Sequence, residues 1–141
     1  LAKYDAATGA LQWARRAGGT GMDLFPAVTT DVQGNVHVAG GFGAGGDVGG
    51  LPVPTDGHWH VVTAQYDPNG TAQELAYAET TDMGFAMAAA VDAAGNRYLA
   101  GWYQGTAVFG AYVLPPSNLW NYFLAKRAGP GGCEGQSSDP R

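Results

Sequence analysis

Two histidines separated by one residue are the strongest candidates for chemistry in this chain. They lie in the segment Asp-Gly-His-Trp-His, which runs from Asp56 to His60. In an extended strand, His58 and His60 project from the same face about 6 to 7 Å apart, so both could bind one zinc ion with a third ligand from elsewhere. The segment 117–121, which the repeat described below places in the same register, reads Ser-Asn-Leu-Trp-Asn. Since neither histidine recurs there, two incidental histidines beside a packed tryptophan are the alternative, and we predict no cofactor.

The other reactive side chains lack the surroundings that catalysis requires. Serine occurs at three positions, none of them in a Gly-x-Ser-x-Gly turn. Cys133 has glycine and Glu134 as neighbours rather than the positive charges that activate a thiol. His37 lies in an apolar segment and is expected to be a satisfied histidine of the core or of a sheet edge, and no spacing selects a pair of carboxylates. The sequence therefore predicts no catalytic residues and no enzyme.

The composition indicates a turn-rich chain that does not bind nucleic acid. Charged residues make up 13% of the 141 residues, against roughly 25% in typical soluble domains, and 23 residues are glycine. The net charge is −5, and the seven lysines and arginines are too scattered to form the basic stripe that phosphates require. No apolar run approaches the roughly 18 to 20 residues of a spanning helix, so membrane insertion is not expected. Because the chain begins at Leu1 without a methionine, we expect it to be an excerpt of a longer or processed polypeptide.

A ten-residue phrase occurs twice in the chain. Residues 31–40 read DVQGNVHVAG and residues 92–101 read DAAGNRYLAG, 61 positions later. The same displacement superposes three further pairs of identical residues: Gly49 and Gly110, Pro54 and Pro115, Trp59 and Trp120. The tripeptide Leu-Ala-Lys at 1–3 also recurs at 124–126, about two periods downstream. This pattern predicts a repeat of about 61 residues rather than a catalytic motif.

The repeated phrase has the residue types of a tight hairpin turn. Aspartate caps its own backbone two residues on, glycine accepts a positive φ, and asparagine tolerates the left-handed region. The predicted structural turn residues are Asp31, Gly34 and Asn35 in the first copy and Asp92, Gly95 and Asn96 in the second. The segment that follows is apolar at consecutive positions, which predicts a strand buried between neighbouring sheets.

Short runs of valine, alanine and aromatic residues between turn signals predict strands throughout and no helix. The predicted strands are 1–5, 10–17, 24–30, 36–42, 59–67, 72–79, 85–91, 96–103 and 120–127. The alanine-rich segment 86–94 has a helix-forming composition, but its counterpart in the other copy contains Pro26 and β-branched residues, so a strand is predicted there too.

Four strands in each period, with small residues where sheets would converge, predict an all-β fold. We expect a fragment of a β-propeller, in which each four-stranded antiparallel blade buries both faces against its neighbours. The predicted parts are the last two strands of a partial blade with a linker (1–23), a complete blade (24–84), a second partial blade (85–128) and a disordered or linker tail (129–141).

Several short signatures in this order resemble a known repeat family. The series LAKYD (1–5), GGTGMD (18–23), DVQGNVHVAG and TAQYD (63–67) resembles the bacterial seven-bladed β-propeller repeat family, or SBBP repeats. The resemblance covers residues 1 to about 128, and the second copy departs from it with ETTDMG (79–84) in place of the glycine loop. It implies a non-catalytic binding or structural module of a larger secreted or cell-surface bacterial protein.

The same architecture suggests the partners of the chain. Because two blades cannot close a ring, we expect further blades of the same polypeptide, or identical copies of this chain, to cover the open faces. A glycan or a surface protein is the expected ligand if the variable loops bind one, and the resemblance described above implies a location outside the cell.

One segment resembles a different propeller family. YDAATGALQW, from Tyr4 to Trp13, resembles the outer-strand motif of pyrroloquinoline-quinone-type propellers, in which a tryptophan docks between blades. This alternative implies part of a quinoprotein dehydrogenase or of its scaffold relatives. Those repeats are shorter than the period found here, and Glu74 stands in the second copy where Trp13 stands in the first.

Two segments, 43–58 and 104–119, are predicted to be long loops between the second and third strands of each unit. Loops on a rigid scaffold usually carry recognition. The possible ligand-facing aromatic residues are therefore Trp102, Tyr103 and Tyr112. Trp59 and Trp120 hold the same place in both copies, and we expect them to pack between blades.

Overall fold

Strands account for the regular structure of this chain. The computed structural model describes residues 1–43, 45–54 and 56–129. These residues form twelve strands: β1 (Ala2–Tyr4), β2 (Leu11–Ala14), β3 (Ala17–Gly19), β4 (Asp23–Thr30), β5 (Val36–Phe42), β6 (Gly46–Val48), β7 (Leu51–Val53), β8 (His60–Tyr66), β9 (Ala72–Thr80), β10 (Met83–Val91), β11 (Arg97–Phe109) and β12 (Tyr112–Arg127). In the described ranges no helix is long and apolar enough to cross a membrane. The predicted all-β class is confirmed, while most of the predicted tail, including Cys133, lies outside the described residues.

Seven strands form one antiparallel sheet. In chain order β4, β5, β8 and β9 pair in succession, and we call them the central meander. β10, β11 and β12 also pair in succession and form the C-terminal meander. The two are joined where β11 pairs with the end of β9, at Ala107↔Thr80 and Val108↔Glu79. Because β10 also lies against β4 and β5, the sheet is barrel-like and nearly closed.

Two smaller sheets complete the described structure. β1 and β2 pair to form the N-terminal ribbon, and β3, β6 and β7 form a three-stranded sheet. β3 pairs with β6 at Gly18↔Asp47, in the same way as β9 pairs with β11 at Glu79↔Val108. Each of these contacts links the end of one strand to a hairpin of the following part of the chain.

The predicted strand positions are largely confirmed. The structure places β5 at the predicted bounds 36–42, and β4, β8, β9 and β10 start and end within two residues of the predicted ones. The alanine-rich segment is strand β10 rather than helix. Its β-structure follows from pairing with β11 and from packing on β4 and β5, which outweigh local propensity.

The two predicted long loops are wrong, because both contain strands. Residues 43–58 include the β6–β7 hairpin, whose turn has positive φ at Gly49 and Gly50, 62° and 88°. Residues 104–119 form the end of β11 and the start of β12, joined at Gly110 with φ 60°. In 43–58 the strands are three residues long, too short to show an alternating pattern, and in 104–119 glycine and proline lie within the extensions of two long strands.

Strand register in the C-terminal meander coincides with that in the central meander at a displacement of 61 residues. The pair Thr30↔Val36 ends the β4–β5 ladder, and Val91↔Arg97 ends the β10–β11 ladder. The β5–β8 ladder likewise matches the β11–β12 ladder, with Val36↔Tyr66 and Phe42↔His60 in the first and Arg97↔Arg127 and Tyr103↔Asn121 in the second. β4 and β10 also have their irregularity at the same place, between Leu24 and Ala27 and between Ala86 and Ala88.

Every residue of β5 is buried, because both faces of the central meander are covered. Its front face packs with Trp13 of the ribbon and with β6 and β7, through Val36, Val38, Phe42, Val62, Ala64 and Tyr66. Its back face packs with the C-terminal meander, through Ala27, Ala39, Val61 and Ala78. The expectation of a strand buried between sheets is therefore confirmed for residues 36–42.

Two glycines at equivalent positions permit a close approach of neighbouring strands. A Cβ on Gly40 would lie closer than 3.0 Å to the carbonyl oxygen of Leu24, and one on Gly101 would lie equally close to that of Phe85. Both contacts are with backbone in the irregular part of the paired strand, so a side chain can be accommodated only by moving the strand. This explains why the repeated phrase ends in Ala-Gly.

Replacing Gly101 with alanine is expected to lower the free energy of unfolding by about 3 kcal/mol or more, since the β10–β11 ladder would have to shift. Gly50→Ala is the control, because Gly50 has open space around it and only a positive φ, which costs an alanine about 1 kcal/mol. Urea denaturation of both variants measures the difference. Equal losses would show that the close approach is not a constraint.

Candidate functional site

Four turns are each organised by one aspartate at the end of a strand. The aspartates are Asp5, Asp31, Asp67 and Asp92. In every case Oδ1 accepts hydrogen bonds from two backbone N–H groups of the turn, at 2.8 to 3.1 Å. Gly34 and Gly95 have φ values of 81° and 82°, which a side chain would rarely adopt.

The second carboxylate oxygen differs between the two copies of the phrase. Asp31 Oδ2 accepts from Asn35 Nδ2 at 2.9 Å and lies 3.0 Å from Nε2 of the buried His37. Asp92 Oδ2 likewise accepts from Asn96 Nδ2, but its other partner is the hydroxyl of Tyr98 rather than a histidine. His37 therefore has a hydrogen-bond partner in the core, as expected, and its counterpart Tyr98 binds the equivalent oxygen.

Hydrogen bonds keep Asp31 ionised. Burial would by itself raise the pKa of this carboxyl, but hydrogen bonds from His37, Asn35 and the turn backbone outweigh it and lower the pKa from 3.8 to about 2. Because the folded-state pKa is depressed, the carboxylate stabilises the fold above about pH 4. That contribution is lost as the pH falls toward 2.

Asp31→Asn is expected to lower the free energy of unfolding at pH 7 by about 1–3 kcal/mol, since the turn loses hydrogen bonds to a charged group. The difference between the variant and the parent should shrink between pH 4 and pH 2. Glu79→Gln, at an exposed position outside the turns, is the control. Denaturation curves across this range check the prediction, and a constant difference would contradict it.

The two histidines proposed as a zinc pair have different surroundings. His60 is fully buried: Nδ1 accepts the backbone N–H of Thr80 at 3.2 Å, and Nε2 lies 2.8 Å from Asp56 Oδ1. His58 is exposed, and its backbone N–H donates to the same Asp56 oxygen at 3.0 Å. This bond, followed by the one from His60, lowers the pKa of Asp56 despite a partial offset by burial. Both ring nitrogens of His60 are therefore engaged, so a metal ion would have to displace an existing bond.

Within the described ranges, no group of three or more histidine, cysteine, aspartate or glutamate side chains is arranged to hold a metal ion. The arrangement of Asp56, His60 and Thr80 instead fastens the start of β8 to the end of β9. The hydroxyl of Thr80 also donates to the carbonyl of Trp59.

Four aromatic rings form a stack along one side of the sheet. Trp59 contacts Phe85, Phe85 contacts Trp102, and Trp102 contacts Trp120, with ring centroids 4.2 to 4.6 Å apart. Trp59 and Trp102 are half-buried, while Trp120 is exposed. Trp102, predicted to face a ligand, is thus part of a packed row of rings.

The other two predicted ligand-facing aromatic residues also differ in exposure. Tyr103 is only 3% exposed, and its hydroxyl donates to the carbonyl of Pro115. It therefore does not present its ring to a ligand, because it points into the cluster between the meanders. Tyr112 is 75% exposed at the start of β12 and is available for contact.

The junction between the N-terminal ribbon and the central meander is aromatic. Trp13 is buried, stacks on Tyr66 with a centroid distance of 6.4 Å, and donates from Nε1 to the carbonyl of Pro68 at 3.0 Å. Its ring lies so close to Gly70 that a Cβ there would fall within 3.0 Å of it. Lys3 Nζ also donates to Pro68 O at 3.0 Å.

The junction between the central and C-terminal meanders has an ionic counterpart at the same place. Glu74 forms ion pairs with Arg97, at 2.6 Å, and with Arg127. The two arginines lie directly opposite each other in the β11–β12 ladder, and Arg97 also donates to Gln65 Oε1 at 2.6 Å. Burial would raise the pKa of the Glu74 carboxyl, but the hydrogen bonds and positive charges of the arginines outweigh it and lower the pKa.

The two junctions correspond residue by residue, at a displacement of 61 positions for all but Lys3 and Gln65, which are 62 apart. Trp13 lies across from Lys3 as Glu74 lies across from Gln65. The facing pair is Val36↔Tyr66 at the first junction and Arg97↔Arg127 at the second. Trp13, Val36 and Tyr66 at the first junction thus correspond to Glu74, Arg97 and Arg127 at the second, so an apolar and aromatic set is replaced by an acid and two bases. The sequence reasoning missed this set, although three simultaneous changes at aligned positions could have indicated it.

Transplanting the aromatic junction tests this correspondence. Glu74→Trp alone should lower the free energy of unfolding by about 2–3 kcal/mol, because two facing arginines lose their shared counterion. The triple variant Glu74→Trp, Arg97→Val, Arg127→Tyr should recover to within about 1 kcal/mol of the parent.

The control for this experiment is Arg16→Gln, which removes an exposed ion pair with Asp47 at 3.8 Å and should change stability by at most about 1 kcal/mol. Thermal and urea unfolding of all variants provide the measurement. A triple variant less stable than the single one would refute the equivalence of the two junctions.

A scan against protein-family models and a search of the curated proteins find no match to this chain.

Proposed function

We propose that this chain is a non-catalytic binding or structural module of a larger secreted or cell-surface bacterial β-propeller protein. In this proposal the units are four-stranded blades of about 61 residues, as in SBBP repeats. Residues 24–84 are a complete blade, 1–23 contain the end of the preceding blade, and 85–128 are the first three strands of the next.

The shared register of the two meanders carries the architectural part of the proposal. The β4–β5 and β5–β8 ladders match β10–β11 and β11–β12 at one displacement, including the irregular positions. Two unrelated meanders have no reason to agree in register, in turn chemistry and in the placement of Gly40 and Gly101. A tandem unit accounts for all three.

The covering of the central meander also supports blades placed side by side. Trp13 of the ribbon together with β6 and β7 covers the front face, and the C-terminal meander covers the back face. The β3–β6 and β9–β11 contacts tie each unit to the next by backbone hydrogen bonds. Stacked four-stranded sheets that bury both faces are typical of propellers.

The non-catalytic part of the proposal rests on the surroundings of the histidine–aspartate pairs. Asp31 and Asp56 each accept backbone N–H groups of their own turn, and their histidines are buried beside them. A general base must instead reach a substrate proton. These pairs are accounted for as parts of turns.

One observation favours the alternative, a pyrroloquinoline-quinone-type propeller. Trp13 is buried between the ribbon and the turn that contains Pro68 and Gly70, which is the docking role that the motif implies. The second junction uses Glu74 with two arginines in its place, so the motif is confined to one junction.

Binding and cofactor measurements on the purified chain test the proposal. We expect saturable binding to a surface glycan or surface protein on an array, weakened about tenfold by Tyr112→Ala, which removes an exposed aromatic platform. Tyr4→Ala, at an exposed tyrosine of the ribbon, should leave the binding unchanged. Stoichiometric uptake of pyrroloquinoline quinone with calcium, followed by dye reduction, would overturn the proposal in favour of the alternative.

A further inference from the structure

Strand β12 has an open edge where the corresponding strand of the central meander has a partner. β8 pairs with β5 on one side and with β9 on the other. Among the described residues, β12 pairs only with β11. The C-terminal meander thus has three strands where the central one has four.

The strand that forms this edge also has exposed apolar side chains. Tyr122 and Leu124 are 86% and 79% exposed, whereas Val61, the counterpart of Tyr122 on β8, is buried. Leu119 and Trp120 extend the exposed apolar surface along the same strand. Long, exposed, apolar edges are templates for pairing with another strand.

Strand β2 of the N-terminal ribbon is the strand that could pair with this edge. β2 pairs with β1 through three pairs, Ala2↔Ala14, Lys3↔Trp13 and Tyr4↔Leu11. The sequence Leu-Ala-Lys of residues 1–3 recurs in β12 as residues 124–126. At two of the three paired positions β12 therefore offers β2 the same side chains as β1, with Ala125 for Ala2 and Lys126 for Lys3, while Arg127 takes the place of Tyr4.

We propose that β12 of one copy pairs with β2 of a second copy, in place of that copy's own β1. Ala125 would then lie opposite Ala14, and Lys126 opposite Trp13, in the register of the β1–β2 ladder. This head-to-tail contact completes a four-stranded sheet from three strands of one copy and one of the next. It rests on the proposed blade architecture and names its partner as a second copy of this chain.

The exchanged strand can reproduce the lysine contact of β1. Lys3 donates from Nζ to the carbonyl of Pro68, and Lys126 brings the same ammonium group to the same position. Trp13 and the β3–β6 pairs keep their places, because they belong to the chain segment after β1. The contact joins unlike surfaces, so successive copies form a ring if the rotation closes and a filament if it does not.

Cross-linking between differently marked chains tests the register. In a Cys133→Ser background, one chain carries Ala14→Cys and the other Ala125→Cys, and a short bis-maleimide reagent is added. We expect covalent dimers in the mixture and not in either chain alone. Dimers formed by the Ala125→Cys chain alone would show symmetric edge pairing and overturn the proposal, as would the absence of any cross-link.

Association measured by analytical ultracentrifugation provides a second test. Deletion of residues 1–4 should lower the dissociation constant about tenfold, because β2 loses its competing partner within the chain. Tyr122→Lys with Leu124→Lys should raise it about tenfold or more through charge on the open edge. Val113→Lys, an exposed change on the same strand outside the pairing segment, should leave it unchanged.

These outcomes separate the two proposals. A folded monomer in which β10–β11 and β11–β12 keep the register they share with β4–β5 and β5–β8 would overturn the head-to-tail contact alone. Loss of that register would overturn the blade architecture as well. Tighter association after deletion of residues 1–4 is expected only if β1 and β12 compete for β2.

Discussion

The burial of β5 on both faces is the constraint on which the rest of this structure depends. A strand without a polar face cannot lie at the surface of a single sheet, so the central meander requires cover in front and behind. Trp13 of the ribbon together with β6 and β7 supplies one cover, and the C-terminal meander supplies the other. The C-terminal meander has the same register, and we expect it to need a cover in the same way. The face that includes Tyr122 and Leu124 is exposed and lacks one among the described residues.

Turns and close approaches adapt the chain to this stacking. In each aspartate-centred turn the carboxylate accepts hydrogen bonds from backbone N–H groups of the same turn. These groups therefore need no hydrogen-bond partner from the sheets. Gly40 and Gly101 let neighbouring strands approach at the irregular positions. The junctions then differ in chemistry while keeping their place: an indole at one and a carboxylate between two guanidinium groups at the other. Such a difference would favour one order of neighbours over another.

Local residue types predicted the turns and most strands, because aspartate, glycine and asparagine act on the backbone within a few residues. The repeat alignment also identified β10 as a strand against its alanine-rich composition. The β6–β7 hairpin was missed because three-residue strands between glycines show no periodicity. The burial of Tyr103 and the ion pairs of Glu74 were missed for a different reason. Tyr103 is buried in the cluster between the meanders, and Glu74 pairs with arginines 23 or more residues away, so no local pattern encodes either.

The central claim is that the three strands of the C-terminal meander, β10, β11 and β12, repeat the first three of the central meander, β4, β5 and β8. Cross-strand NOEs in an isotope-labelled sample measure this most directly. The account predicts that Val28 and Val38 are cross-strand neighbours and that Ala89 and Leu99 are neighbours in the same way, 61 residues later. A β10–β11 register that differs from that of β4–β5, or helical NOEs in residues 83–91, would contradict it.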